Sequence, residues 1–209
     1  MKKVLKNVSF MILLLQLCII FGQDRSAQKR IIIDVGHGGK DSGAIGINSI
    51  QEKDVVLNIA NAILKLNKEL DKPLDIYLTR YTDTLISLSD RTKLAESLKA
   101  DLFVSLHCNH SDNQEARGVE VYASKKQGGY SKESVWLAFQ IQEKFKTKLG
   151  FESRGVKFAN FQVLRETIDS CAAVLLELGF LSNKDEGSYL SEATNIQFIA
   201  SIILLSIQN

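Results

Sequence analysis

Apolar positions run along this chain in two rhythms: short continuous runs that read as buried strands, and longer stretches in which they recur every three or four residues. The run "IIIDV" at 31–35 predicts a first strand, followed by the glycine-rich turn "GHGGKDSGAIG". Val56, Ile59, Ile63, Leu66 and Leu70 then fall at helical steps, until Asp71 to Pro73 stop that helix. "DIYLT" predicts a second strand, and Ser89 or Asp90 is placed to cap a helix running to about Lys99. "DLFVSLHCN" predicts a third strand, whose alternation sets Phe103, Ser105, His107 and Asn109 on one face and Leu102, Val104, Leu106 and Cys108 on the other. "VEVYA" at 119–123 adds a strand. After "SKKQGGYSKE" a helix carries Val135, Ala138, Ile141, Phe145 and Leu149 on one face and ends at Gly150. "FQVLR" and "AAVLLEL" read as two more strands, and Ile196, Ile199, Ile203 and Ile207 predict a final helix from about Ala193 to Ser206. Strand, helix, strand, helix, strand implies an α/β fold with a parallel core.

At 209 residues, 45% of them hydrophobic, the chain has apolar material for one sizeable core, so a single domain over 31–209 is expected, with no internal repeat. The first 22 residues stand apart. Lys2, Lys3 and Lys6 precede an apolar run from Phe10 to Phe21, too short to span a bilayer comfortably, and 1–22 therefore reads as a secretory signal peptide cleaved near Gly22 or Gln23. A retained anchor or a buried helix is the alternative. Cys18 raises a lipoprotein reading, against which stands the bulky Leu17. Residues 23–30, "QDRSAQKR", form a short polar linker. Cleavage removes three lysines and no acid, moving the net charge from +2 to about −1, so the basicity belongs to the leader and no nucleic-acid partner is implied. The mature chain is expected to be exported to the periplasm or cell envelope, free of the membrane and monomeric. Its two cysteines, Cys108 and Cys171, are open to pairing but make no disulfide framework.

In open α/β sheets ligands gather at the carboxyl ends of strands, and three polar residues follow apolar runs there: His37, His107 and Glu177. A buried carboxylate such as Glu177 is costly unless a cation or donor compensates it. Two neutral imidazoles and one carboxylate, with a position left open to water, are ligands of hydrolytic zinc. Asp34, Asp41, Glu52 and Asp54 are candidates for that carboxylate. For Glu52 a second reading stays open, because "SIQE" fits a capping box in which Glu52 bonds only the Ser49 amide. His37 has one too, as a turn histidine exposed by chance, and the glycines around it are open to a phosphate-cradle reading. "GHGGKDSG", however, lacks the Ser or Thr after Lys of a P-loop and any clean G-x-G-x-x-G. His110 lies three residues beyond His107 and should face the other way.

Eight segments in order, "IDVGHGGKDSGAIG", "QEKDVVLNIA", "LTRYTD", "LSDRTKLAE", "ADLFVSLHCN", "GVEVYA", "RGVKFANFQVLRET" and "LLELGFLSNKDE", resemble the zinc-dependent N-acetylmuramoyl-L-alanine amidases, the family that includes the bacterial cell-division amidases. The resemblance runs from about Ile31 to Asn209. It implies a twisted, mostly parallel six-stranded sheet with helices on both faces. It also implies one Zn2+ held by His37, Glu52 and His107, with Glu177 as the catalytic carboxylate, and hydrolysis of the amide between N-acetylmuramic acid and L-alanine in peptidoglycan. Arg154 in "RGVK" and Asn109 are candidates for holding the substrate. The chain departs from the family in "SCAAVLLE", where a proline is common before the last strand, and in the Cys108 and His110 of "HCNH". Some relatives carry a long insert after the fourth strand that folds over the zinc until a partner withdraws it. The interval "SKKQGGYSKE" is too short for such a helix, which implies an open groove. Two other readings are a wall-binding protein with an inactive site, against which stand all four key side chains, and a zinc peptidase cutting within stem peptides.

Overall fold

Three consecutive isoleucines suit a strand covered on both faces, since successive side chains of a strand point to opposite sides. In the computed structural model, which describes residues 28–208, Ile31, Ile32 and Ile33 are all fully buried. Burying each contributes about 1.5–3 kcal/mol of hydrophobic stabilisation. The signal-peptide reading, and the linker reading except for Gln28 to Arg30, lie outside the described residues.

The isoleucines belong to β1 (Arg30–Val35), the second strand of a six-stranded sheet ordered β2-β1-β3-β6-β4-β5. The others are β2 (Asp75–Leu78), β3 (Leu102–Asn109), β4 (Val119–Ser124), β5 (Ser153–Ala159) and β6 (Ala172–Phe180). β2, β1, β3 and β6 are mutually parallel, whereas β4 runs antiparallel to β6 and carries β5 parallel to itself at the edge. On one face lie α1 (Glu52–Lys68), α3 (Ser131–Leu149) and α6 (Ala193–Ile207), packed over Ile31, Ile33, Val104 and Leu176. On the other, α2 (Leu88–Ser97) and α4 (Gln162–Thr167) cover Ile32, Phe103, Ala173 and Leu175. A short α5 (Lys184–Ser191) links β6 to α6. No single helix among the described residues is long and apolar enough to cross a membrane.

Several expectations need correction. "FQVLR" is the start of helix α4, because Val163, Leu164 and Thr167 are the buried residues, a helical rather than an alternating spacing. The fifth strand is instead "SRGVKFA", whose charges and glycine mask it and whose edge position leaves it largely exposed. The cap of α2 is Ser87, not Ser89 or Asp90. Its hydroxyl accepts from the Asp90 amide at 3.1 Å and donates to the Asp90 carboxylate at 2.7 Å. Ser87→Ala should therefore lower stability by about 1 kcal/mol, read as a shift in the denaturant midpoint; an unchanged midpoint would count against this cap. Cys108 and Cys171 are free, buried thiols in the two separate core layers, so they do not pair.

The chain leaves β1 through α1 to reach β2 on one side, then crosses back to β3 on the other. The carboxyl ends of β1 and β3 thus flank a topological switch point, where side chains find room beyond the sheet.

Candidate metal centre

His37 and His107 occupy that switch point. His107 is the sixth residue of β3, on the face its alternation predicts, and His37 follows β1 after Gly36. The space is tight: a Cβ on Gly36 would lie 2.5 Å from Cε1 of His107, and one on Gly43 would lie 2.5 Å from Oε2 of Glu52. The glycines of "GHGGKDSGAIG" thus admit the two imidazoles and the carboxylate. His37 itself has φ 56°, a left-handed conformation that costs energy for a side chain of its kind and tends to mark functional positions. Its carbonyl is held at 2.8 Å by Nη2 of Arg91, and that of Gly36 at 2.8 Å by Nη2 of Arg80.

Glu52 opens α1, and its side chain does not close a capping box; the residue before the helix is Gln51 and makes no side-chain cap. Glu52 points back toward the strand ends, 3% exposed. Oε2 accepts from the Ala44 amide at 2.8 Å. Oε1 accepts from the Cys108 amide at 3.0 Å and lies 2.8 Å from Nδ1 of His107 and 3.0 Å from Nε2 of His37. One ligand atom from each of His37, Glu52 and His107 falls within 4.8 Å of the other two. The imidazoles meet edge to face, with ring centroids 4.9 Å apart. Asp41 Oδ2 engages Nδ1 of His37 at 2.9 Å, which turns Nε2 toward the cluster, as outer hydrogen-bond partners of metal-binding histidines do.

Burial opposes charge on this cluster, but the contacts outweigh it. Glu52 sits well below the usual carboxylate range through its bonds to His107 and His37, and His37 is raised to about 9 by Glu52 and Asp41. Once His37 gives up its proton, two imidazole nitrogens and the Glu52 carboxylate oxygen converge as donors for one cation. Two histidine nitrogens and a carboxylate oxygen also form the donor set zinc favours, so the residues fit the ion that the resemblance implies.

Glu177 pairs in register with His107 across β3 and β6, so the two side chains share a face. Its Oε2 is buried and makes no hydrogen bond among the described residues. Burial pushes this carboxyl up to about 7 against the pull of His107. An unpartnered buried carboxylate is costly and needs a ligand, water or proton to complete it. His37, His107 and Glu177 line a groove of about 730 Å³, walled by Leu85 to Leu88 before and in α2 and by Phe161 at the start of α4.

The remaining candidates are sorted by their partners. Asp34, 1% exposed, is fully engaged by Nη1 of Arg91 at 2.7 Å, Ser105 at 2.6 Å and Thr79 at 2.9 Å, and is structural. Asp54 is exposed on α1, and His110 is exposed past β3 and outside the cluster. Asn109 ends β3 half-buried, its side-chain oxygen accepting from the His110 amide. Nε of Arg154 is committed to Glu120 at 2.5 Å. Sequence reasoning overlooked Arg80 and Arg91, which hold the loop carbonyls; the "LTR" and "LSDR" segments contained them, but nothing local shows that they are buried.

The N-acetylmuramoyl-L-alanine amidase family model matches residues 31–209. The chain is 42% identical over 165 residues to the N-acetylmuramoyl-L-alanine amidase LytC of Bacillus subtilis, covering 78% of this chain and 32% of that protein. It is 32% identical over 221 residues to the amidase AmiA of Escherichia coli, covering 86% and 75%. Among solved structures, the catalytic domain of the amidase CwlV from Bacillus (Paenibacillus) polymyxa var. colistinus is similar with a TM-score of 0.77 and 36% identity, over 86% of this chain and 96% of that one. The chain thus spans about a third of the length of the Bacillus subtilis relative, and nearly all of the CwlV domain.

Proposed function

This chain belongs to the N-acetylmuramoyl-L-alanine amidase family, and from that premise we propose that it hydrolyses the amide bond between N-acetylmuramic acid and L-alanine in peptidoglycan. The observation that carries the reading is the convergence of His37, Glu52 and His107 beside a half-buried Glu177, whose buried Oε2 has no hydrogen-bond partner among the described residues, in an open groove. His37, Glu52 and His107 would hold one zinc ion. When bound, zinc supplies Lewis-acid polarisation of the scissile carbonyl and acidifies a water.

The protein's own groups do the rest. Glu177 takes the proton of the attacking water and passes it to the leaving amine of L-alanine, acting first as base and then as acid. Its raised pKa supports both roles, since a carboxyl poised near neutrality exchanges protons in either direction. Asp41 orients the His37 ring, and Glu52 is fixed by two backbone amides before any ligand arrives. Asn109 and Arg154 contact the substrate, Asn109 from the end of the His107 strand. Residues 1–22 act as an export signal, which delivers the catalytic domain to the envelope.

Mass spectrometry of fragments released from purified sacculi tests the bond assignment. Free stem peptides beginning with L-alanine, left beside peptide-free glycan strands, are expected. Cleavage within the peptides, or binding without release, would sink it. Only residues 125–130 separate β4 from α3, too few for a helix that covers the groove. The purified mature chain is therefore expected to turn over sacculi unaided, and strict dependence on an added activator protein would contradict an open groove.

A further inference from the structure

The strand beside Glu177 carries a charged cluster that the proton-transfer chemistry leaves unused. Glu120 pairs in register with Glu177 across β4 and β6, and Tyr122 with Leu175, so this cluster adjoins the groove wall. Glu120 is 3% exposed and is not left bare: Lys157 Nζ donates to it at 2.7 Å, the Tyr122 hydroxyl at 2.6 Å and Arg154 Nε at 2.5 Å. These bonds outweigh burial and keep Glu120 ionised, below the usual glutamate range. The Tyr122 ring packs edge to face on Phe161, which lines the groove, with centroids 5.2 Å apart. Arg154 lies over the Phe180 ring, 5.1 Å from its centroid.

Charge and donors do not balance here. Two cations share one carboxylate, leaving a positive excess on a partly exposed surface, with the Arg154 and Lys157 side chains 35% and 38% exposed. Arg154 uses Nε on Glu120 and Nη1 on the Arg117 carbonyl at 3.3 Å. Its Nη2, and the remaining protons of Lys157, have no acceptor among the described residues. Charged donors held in place with capacity to spare are a recognition site for an anion, and a planar guanidinium beside an ammonium suits a carboxylate.

We propose that Arg154 and Lys157 form a carboxylate-binding subsite beside Glu177, oriented by Glu120 and Tyr122, that selects stem peptides carrying a free carboxylate close to the cut. This rests on the amidase reading for the position of the peptide. It revises the role of Arg154: with Nε spent on Glu120, the guanidinium contributes Nη2, and Lys157 supplies the second contact.

The test uses the full mature chain with zinc and two leaving-group peptides that it cannot cleave as amides of muramic acid. These are L-alanyl-γ-D-glutamyl-L-lysine with its glutamate α-carboxylate free, and the same peptide with that group amidated. Calorimetric titration is expected to show the free acid binding at least about tenfold more tightly, the scale of one charge-assisted hydrogen bond. Lys157→Met should erase most of that ratio, and Arg154→Met should do the same. In Lys157→Met the buried Glu120 keeps its bonds from Arg154 and Tyr122, so the fold is expected to survive, with circular dichroism as the check, and the test stays decisive even if Arg154→Met misfolds. Equal binding of the two peptides by the wild type, no binding of either, or a ratio unchanged in Lys157→Met would each overturn the subsite. Release of stem peptides from sacculi by the same preparation is read separately, so failure of the amidase reading is distinguishable from failure of the subsite.

Discussion

Glu177→Gln is expected to retain zinc at the wild-type level while losing at least about two orders of magnitude in turnover of sacculi, the usual contribution of a positioned general base. The substitution keeps the side chain's shape and removes its ability to accept and return a proton. Among the described residues Glu177 makes no hydrogen bond through Oε2 that Gln would forfeit. It is also not among the three residues whose ligand atoms converge, so metal content should not follow activity down. Paired measurements of kcat and zinc per chain check this. Near-wild-type hydrolysis by the variant would refute the proton-transfer role, and parallel loss of metal would instead make Glu177 a ligand.

His37→Ala and His107→Ala are expected to take zinc from about one per chain to near none, and with it all hydrolysis. Each removes one of three converging donors, a larger loss than the roughly 10–100-fold in affinity that follows removal of an outer hydrogen-bond partner. Asp41→Ala removes such a partner, the one that turns His37 Nε2 inward, and should give that intermediate weakening. The fold should survive in all three. Glu52 keeps its Ala44 and Cys108 amides, and the His37 loop keeps its clamps from Arg80 and Arg91. Zinc stoichiometry by mass spectrometry, with circular dichroism as the fold control, separates loss of metal from loss of structure. Full occupancy in His37→Ala would count against the centre as drawn.

The parts of the fold that were legible in the sequence are those whose burial is uniform along an element. "IIIDV" and "AAVLLEL" are covered on both faces and read as apolar runs, and Val56, Ile59 and Ile63 repeat at helical steps because one side of α1 meets the sheet. Where burial is partial the pattern misleads. Edge strand β5 hides under charges that bond Glu120 on the neighbouring strand β4, and α4 is so short that its two adjacent apolar residues mimic a strand.

For the site, the sequence by itself determined which chemistry was available: histidines behind apolar strands, a glycine turn, and a carboxylate at the end of a buried run. Type and local spacing left Asp34, Asp41, Glu52 and Asp54 open as acidic candidates, because they do not say what a side chain touches, and the choice of Glu52 came from the family resemblance alone. The tertiary structure gives the physical grounds that separate them. Arg91, 57 positions away, consumes Asp34; Asp41 is turned onto His37; Asp54 faces solvent; and Glu52 meets both imidazoles across 55 residues from His107. The physical reason is that a carboxylate's role follows from which donors and cations surround it once water is excluded, and those neighbours are delivered by strand order and register rather than by adjacency in the chain.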